Sequence, residues 1–296
     1  MDTRKCAALL HAIDLGSLSA AARYLGYTPS GLLRMIDSFE AELGMEVVER
    51  GRHGVTLTSE GRQVIGALRD AVRAAERVEQ EVACVKGLLS GVVSIATYTS
   101  IAETWLPHAL GVFEQRHPGV KVLIREGGNE EMMAWVEKRV VDCALVAKRS
   151  FSGDWIELAQ DRLMAWLPAS HPRAKDGFFP IEELDGAPFI ETLPGQNTDI
   201  TRLVHAEELA LDVRYTTTSS HTTYRMVEEG LGISINNELM TRHWHGNVAV
   251  VPLAPERMIS LGVALPSLAA ASAATREFVE CAKQACDAWR CSDAGE

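Results

Sequence analysis

Between Gly16 and Gly61 the chain marks where its helices begin and end, and this leaves few folds open. Ser17 stands before Leu18, Ala20, Ala21, Ala22 and Leu25, so its hydroxyl is placed to accept one of the orphan N–H groups of a helix's first turn. Gly26 follows the last apolar residue, where a left-handed conformation closes a helix at least cost. Thr28 then caps a second helix that opens on Pro29, the one helical position where proline's missing N–H and fixed φ are assets. Within that second helix Leu32, Ile36, Phe39 and Leu43 recur at steps of three and four, which makes one apolar stripe for a small core. The two helices are therefore joined by a short, rigid turn.

The face opposite that stripe carries Pro29, Ser30, Leu33, Arg34 and Asp37. Such a helix laid in a major groove brings Ser30 and Arg34 to base edges or phosphates and Leu33 to a thymine methyl. Downstream, the segment from Val47 to Thr58 reads as two short β-prone runs around a glycine-rich turn that holds Arg50 and Arg52. A basic hairpin tip beside such a helix suits the phosphate backbone or the minor groove. Together these elements predict a winged helix-turn-helix. The competing readings are a surface helix in an ordinary bundle and two solvated turn arginines.

Residues 1–58 resemble the DNA-binding domain of the LysR-type transcriptional regulators. The resemblance runs through Gly16-Ser17-Leu18-Ser19-Ala20-Ala21-Ala22, Leu25-Gly26, Ser30, Arg34, Ile36, Leu43-Gly44, Glu49-Arg50, Leu57-Thr58 and Gly61. It implies operator contacts from Thr28, Pro29, Ser30, Leu33 and Arg34 and from the wing arginines Arg50 and Arg52. The chain departs from the family pattern at Pro29, where a glutamine is usual, at Leu33, where a serine is usual, and at Val47-Val48, where a leucine-phenylalanine pair is favoured. These changes preserve the fold and predict a shifted operator preference.

Charge restrains the affinity of one copy. The chain has a formal net charge of -11. Residues 1–58 alone set Arg4, Lys5, Arg23, Arg34, Arg50 and Arg52 against Asp2, Asp14, Asp37, Glu40, Glu42, Glu46 and Glu49. Non-specific affinity follows the number of phosphates neutralised, so a second copy is needed. From Ser59 to Leu89 the residues Val64, Leu68, Ala71, Ala75, Val78, Val82 and Val85 alternate steps of four and three, a heptad seam with charged residues between. That seam predicts pairing with another helix, the alternative being a helix packed on its own C-terminal domain. In the resembling family this element is the linker helix that dimerises the protein, and assembly as a homodimer or homotetramer is implied.

Gly87 to Gly91 marks a boundary, and roughly two hundred residues follow, enough for one or two α/β lobes. Strand-like runs at Val92–Ala96, Val120–Ile124 and Asp142–Val146 alternate with helices over 100–116 and 130–139. A second set reads as strands at Met164–Leu167, Pro188–Glu191, Val213–Thr217 and Ile233–Ile235, with helices over 199–209 and 222–229. Alternation of this kind predicts parallel sheet covered on both faces. Val248–Val251 and Ile259–Leu265 return the chain to the first lobe, and a helix over 272–289 closes it. Here too the LysR family is resembled, through Gly91-Val92-Val93-Ser94-Ile95, Leu106-Pro107, Phe113, His117-Pro118, Asp142, His171-Pro172, Leu184, Val227 with Gly230-Leu231-Gly232, and Val251-Pro252-Leu253. The expected fold class is α/β: an N-terminal winged helix-turn-helix (1–58), a long linker helix (59–90) and a two-lobed, periplasmic-binding-protein-like α/β effector domain (91–296). Its lobe one comprises 91–160 plus 265–296, and its lobe two 161–264.

Ligands of open α/β sheets sit at the carboxyl ends of strands. That places Thr99, Ser100, Gly128, Asn129, Lys148, Thr198, Arg202, Ser220 and His221 as candidates around a cleft for a small-molecule effector. Ser100 stands where a strand gives way to a helix and suits a carboxylate or other small anion, though the same hydroxyl also serves as a plain cap. Lys148, Arg202 and His221 are candidate countercharges or ordinary surface residues, and an organic acid is one effector class in view.

Catalysis has no motif behind it: Gly-x-Ser-x-Gly, the phosphate-loop pattern and the dinucleotide fingerprint are all missing from the sequence. His243-Trp244-His245 lacks a third ligand, and Cys6, Cys84, Cys143, Cys281, Cys286 and Cys291 form no Cys-x-x-Cys pair, so no metal and no cofactor are expected. The steps of five between the last three cysteines send them to different helix faces. No signal-peptide core opens the chain and Pro266 breaks its longest apolar stretch, so a cytoplasmic protein without a membrane partner is expected. The function expected is regulation of transcription at double-stranded promoter DNA under control of the effector. Its rival is a solute-binding or enzymatic α/β protein whose N-terminal helices only mediate interaction.

Overall fold

A computed structural model describes residues 2–51, 54–85, 90–241 and 244–293. The first unit packs α1 (Thr3–Asp14), α2 (Leu18–Leu25) and α3 (Pro29–Leu43) around a core that includes Leu9, Ala21, Leu32, Ile36 and Phe39. A two-stranded wing, β1 (Val48–Gly51) and β2 (Gly54–Leu57), closes against it with Val47, Val48 and Val55 buried. The caps sit where the sequence puts them. Ser17 Oγ accepts from Ala20 N at 3.3 Å, Thr28 Oγ1 from Gly31 N at 3.1 Å, and Gly26 takes φ +73°.

The linker α4 (Ser59–Val85) is a single helix of 27 residues. Its first half is buried through Leu68 and Val72 in the core of the N-terminal unit, whereas Val78 and Val82 are 62% and 49% exposed. The first half of the seam is thus taken up by the N-terminal unit, which neither expectation foresaw. Its polar face is fastened to the following domain: Arg73 is ion-paired with Asp142, Arg139 with Asp70, and Arg77 Nη1 donates to Ala270 O at 3.0 Å.

Lobe one begins with β3 (Gly91–Thr97), α5 (Thr99–Ala102), α6 (Leu106–Arg116), β4 (Val120–Glu126), α7 (Asn129–Glu137) and β5 (Cys143–Ala147). One continuous helix over 100–116 was the expectation, and two short ones are found. The second carries Pro107 in its first turn, where proline starts a helix that it could not continue. The chain then runs through β6 (Asp154–Pro168) into lobe two. There follow β7 (Phe179–Pro180), β8 (Pro188–Thr192), α8 (Asp199–Ala206), β9 (Asp212–Thr217), α9 (Ser220–Glu228), β10 (Ser234–Asn237) and β11 (Val248–Ala254). It returns by β12 (Met258–Leu265) to α10 (Ala273–Asp293), which packs on α6.

The sheets are mixed rather than purely parallel. β3 pairs in parallel with β4 and β5, but β12 runs antiparallel to both β5 and β6. The run Leu261–Ala264 lies along β5, so β12 belongs to the sheet of lobe one and the boundary expected at 264/265 is corrected towards the start of that strand. The sequence reading also missed the first half of β6. Its fifteen residues serve both lobes: 154–162 pair with β12, while 163–168 pair with β10 and β11. Cys281 and Cys286 are both buried in one core despite their five-residue step, because α10 is covered by α6, β3, β6 and α4. Among the described residues no helix is long and apolar enough to cross a membrane, and no cluster is suited to a metal ion. His243 lies outside the described residues, and its neighbour His245 is exposed.

Candidate functional site

The first site is the outer face of α3. Pro29, Ser30 and Arg34 are exposed and Leu33 is half-buried, all on the side away from the stripe of Leu32, Ile36 and Phe39. The hydroxyl of Thr28 is committed to its cap, with Ser30 Oγ 3.4 Å away, so Thr28 orients the helix start while Ser30 and Arg34 remain available. Arg50 is turned back onto α3: its Nη2 lies 2.7 Å from Asp37 Oδ1 and 2.9 Å from Glu40 Oε2. Instead of projecting freely from the wing, it clamps the wing to the helix. Arg52 lies outside the described residues.

Glu40 is the residue the sequence reading passed over. It is 8% exposed, and its Oε1 accepts from Val47 N (2.7 Å) and Val48 N (3.0 Å) while Oε2 meets Arg50. The signal was present, since Glu40 stands four residues after Ile36 on the apolar stripe. A carboxylate buried there is costly unless fully partnered. Two more ties hold the wing. Val55 N donates to Gly16 O at 3.0 Å, and Thr58 both caps α4 through Gly61 N (2.8 Å) and donates its hydroxyl to Glu46 O (2.9 Å). At Gly61 any Cβ would come within 2.1 Å of Val47 O, so only glycine admits this approach.

The second site is the cleft between the lobes, a cavity of about 560 Å³. Of the candidates, Thr99, Ser100, Gly128, Asn129, Thr198, Ser220 and His221 line it together. They arrive from four helix starts: α5 and α7 of lobe one, α8 and α9 of lobe two. Ser219 and Thr198 cap their helices, accepting from Thr222 N (3.3 Å) and Thr201 N (3.1 Å). Lys148 and Arg202 are corrected: both are exposed and neither lines the cavity. The reason is geometric, for Lys148 N is drawn by its bond to Ser260 O, and Arg202 falls on the outer side of α8.

The cation that does approach is Arg149, one residue later than expected. Its Nη1 lies 3.0 Å from Asp199 Oδ1, joining lobe one to lobe two. With its Nδ2 donating to the Tyr98 hydroxyl (3.0 Å), Asn129 accepts from Arg149 through its oxygen, 2.6 Å from Nη2. Burial pushes the Tyr98 phenol well above its ordinary range, the Asp199 carboxylate adding to the effect. A Cβ on Gly128 would meet Gln196 Oε1 at 2.2 Å, so a side chain of lobe two lies directly over the start of α7. Trp244 contributes an aromatic wall, its ring 5.1 Å from that of His221 and 5.4 Å from that of Tyr224. Behind the cleft, where β6 passes between lobes, Asp161 is 5% exposed and accepts from Asn237 Nδ2 and Leu239 N. Burial pushes its carboxyl up to about 6, against the pull of those hydrogen bonds.

Comparison with known proteins matches both domains. A family model described as a bacterial regulatory helix-turn-helix protein of the lysR family matches residues 3–62, and one described as a LysR substrate binding domain matches residues 86–287. Among relatives, the uncharacterized regulator YvbU of Bacillus subtilis is 27% identical over 92% of this chain and 94% of its own length. The probable regulator LrrA of Synechococcus elongatus is 31% identical over 82% of this chain and 80% of its own. Among solved structures, a full-length OxyR variant from Pseudomonas aeruginosa shares the fold with a TM-score of 0.75, at 18% identity over 96% of this chain and 98% of that one. CbnR, described as a LysR family transcriptional regulator, gives 0.63 at 16% identity over 97% and 99%. A helix-turn-helix model matched over residues 3–62, followed by a substrate-binding-domain model matched over most of the remaining chain, places this protein in the LysR family of transcriptional regulators.

Proposed function

We propose that two copies of this chain grip a partly palindromic promoter site, and that a small molecule held between the lobes changes how the copies are arranged on it. The observation that carries the reading is the outer face of α3, whose polar edge of Ser30 and Arg34 is exposed while the wing is clamped beside it through Glu40 and Arg50. Ser30, Leu33 and Arg34 meet the major groove; Thr28 and Pro29 set the angle of entry; Arg50 and Arg52 approach the backbone. Arg50 would have to exchange Asp37 for phosphate on binding, an exchange of one anion for another.

Pairing of subunits is assigned to the far half of α4, where Val78 and Val82 stand uncovered on a helix with one narrow apolar seam. A structure of CbnR is described as a complex with its target DNA, and it shares this chain's fold with a TM-score of 0.62 at 17% identity, over 96% of this chain and all of that one. Mobility shift of the full chain on DNA upstream of its own gene tests the proposal. Salt-sensitive, sequence-specific retention is expected, and Arg34→Ala reduces the salt slope by about one. Leu33→Ser shifts base preference at one operator position by about 1–3 kcal/mol. Retention of every DNA equally, or of none with and without ligands, leaves the rival of a binding or enzymatic α/β protein standing.

A further inference from the structure

We infer that the cleft takes a small organic cation, an ammonium-bearing ligand, rather than the carboxylate that a serine at a helix start suggests; the inference rests on the cleft being the effector site. Its wall holds Glu103, Glu126, Glu131 and Asp199 and neither a lysine nor an arginine. Asp199 is answered by Arg149 across the lobes. Glu126 is bonded only to the hydroxyl of Thr99, at 2.7 Å, and Glu103 and Glu131 have no ion-pair partner among the described residues. Three solvent-exposed carboxylates without an ion-pair partner among the described residues therefore border one cavity.

Four helices begin at this cavity, and their partial positive ends are the natural argument for an anion. Two of them are already matched from within the chain: Glu130 lies in the first turn of α7, and Asp199 in that of α8. α5 spans four residues, too short to gather much dipole, which leaves α9 alone. Half a charge does not offset three. An incoming carboxylate would meet like charge at the cavity's border, which works as selection against it.

A separate observation shows that the cavity is built to hold something. Ser100 is 3% exposed on its wall, and its hydroxyl has no hydrogen-bond partner among the described residues. The hydroxyl is open to the cavity, and its lone pairs can accept from an ammonium N–H. Trp244 and Tyr98 add ring faces and edges to the same wall, surfaces that favour a desolvated cation.

Three four-carbon probes of one length test this on the full chain by thermal shift and calorimetric titration: putrescine, butanediol and succinate. Putrescine is expected to raise the melting temperature and to bind at least tenfold more tightly than succinate. Glu126→Gln and Glu131→Gln each weaken putrescine by about tenfold, the loss of one charged hydrogen bond. Glu114→Gln, an exposed carboxylate outside the cleft, leaves binding unchanged and so excludes a general counter-ion effect. Equal or reversed preference for succinate overturns the inference, as does indifference to putrescine or an equal loss in Glu114→Gln. Mobility shift on the same samples separates this from the regulatory reading: operator retention without a putrescine response removes the cation alone, whereas a putrescine response without retention removes the regulator.

Discussion

The DNA-reading unit and the cleft are assembled in opposite ways. In the first, nearly every determining interaction is local: caps act across three residues, the stripe on α3 repeats within one helix, and Glu40 reaches the wing backbone seven and eight residues on. In the second, the wall is drawn from segments far apart in sequence, and its key contacts join Arg149 to Asp199 and Gly128 to Gln196 across a hinge. The difference teaches where each can be damaged. Local order is lost by removing one side chain, while the cleft depends on the relation between two lobes.

The largest expected effect is at Phe39, fully buried in the small core. Phe39→Ala costs about 3–5 kcal/mol of that unit's stability and abolishes operator retention, while the cleft still responds to its ligand. Urea unfolding followed alongside a ligand titration checks this, and loss of both functions together would break the comparison. Next comes Glu40→Ala, which strands Val47 N, Val48 N and Arg50 and costs about 3 kcal/mol, read in the same unfolding experiment.

Asp161 sharpens the comparison from the cleft's side. Its carboxyl is raised from the ordinary 3.8 to about 6 by burial, so between those values the folded chain keeps a proton that the unfolded chain has released. Raising the pH through that window favours the unfolded chain, and stability falls by about 2–3 kcal/mol from about pH 4 to about pH 6. Asp161→Asn flattens that dependence, and denaturation midpoints across the window show whether it does. The smallest effect belongs to Thr28→Ala, which removes one cap and costs about 1 kcal/mol, measurable as a small drop in melting temperature of the N-terminal unit.

The same contrast explains what could be read in the sequence. Ser17, Gly26, Thr28 and Pro29 announce their roles through spacing alone, and the structure places each as expected. Cleft residues at helix starts, such as Ser100, Asn129, Thr198 and Ser220, were also legible, because turns between strands and helices leave a signature in composition. Charge pairing across the hinge was not. Lys148 and Arg149 are adjacent in sequence, and which of them faces lobe two is decided by the pleat and the bond from Lys148 N to Ser260 O, which no local pattern records. The first half of β6 was missed for a similar reason: the run from Asp154 to Arg162 mixes charges with apolar residues because, paired with β12, it gives only Leu158 and Ala159 fully to the core of lobe one.

Asp142 gives the last consequence. It accepts from Ser94 N at 2.7 Å and is ion-paired with Arg73, so the floor of lobe one and the linker helix share a single carboxylate. Arg69 of the linker is paired with Asp14 of the reading unit, while the linker's ties to the effector domain end on lobe one, at Asp70's partner Arg139 and at Val140, Asp142 and Ala270. Lobe one is thus the chassis on which the reading head is mounted, and lobe two is the loose jaw. If lobe two moves on a ligand as proposed above, these ties leave the head fixed to lobe one, and the signal would pass to a neighbouring copy through lobe two.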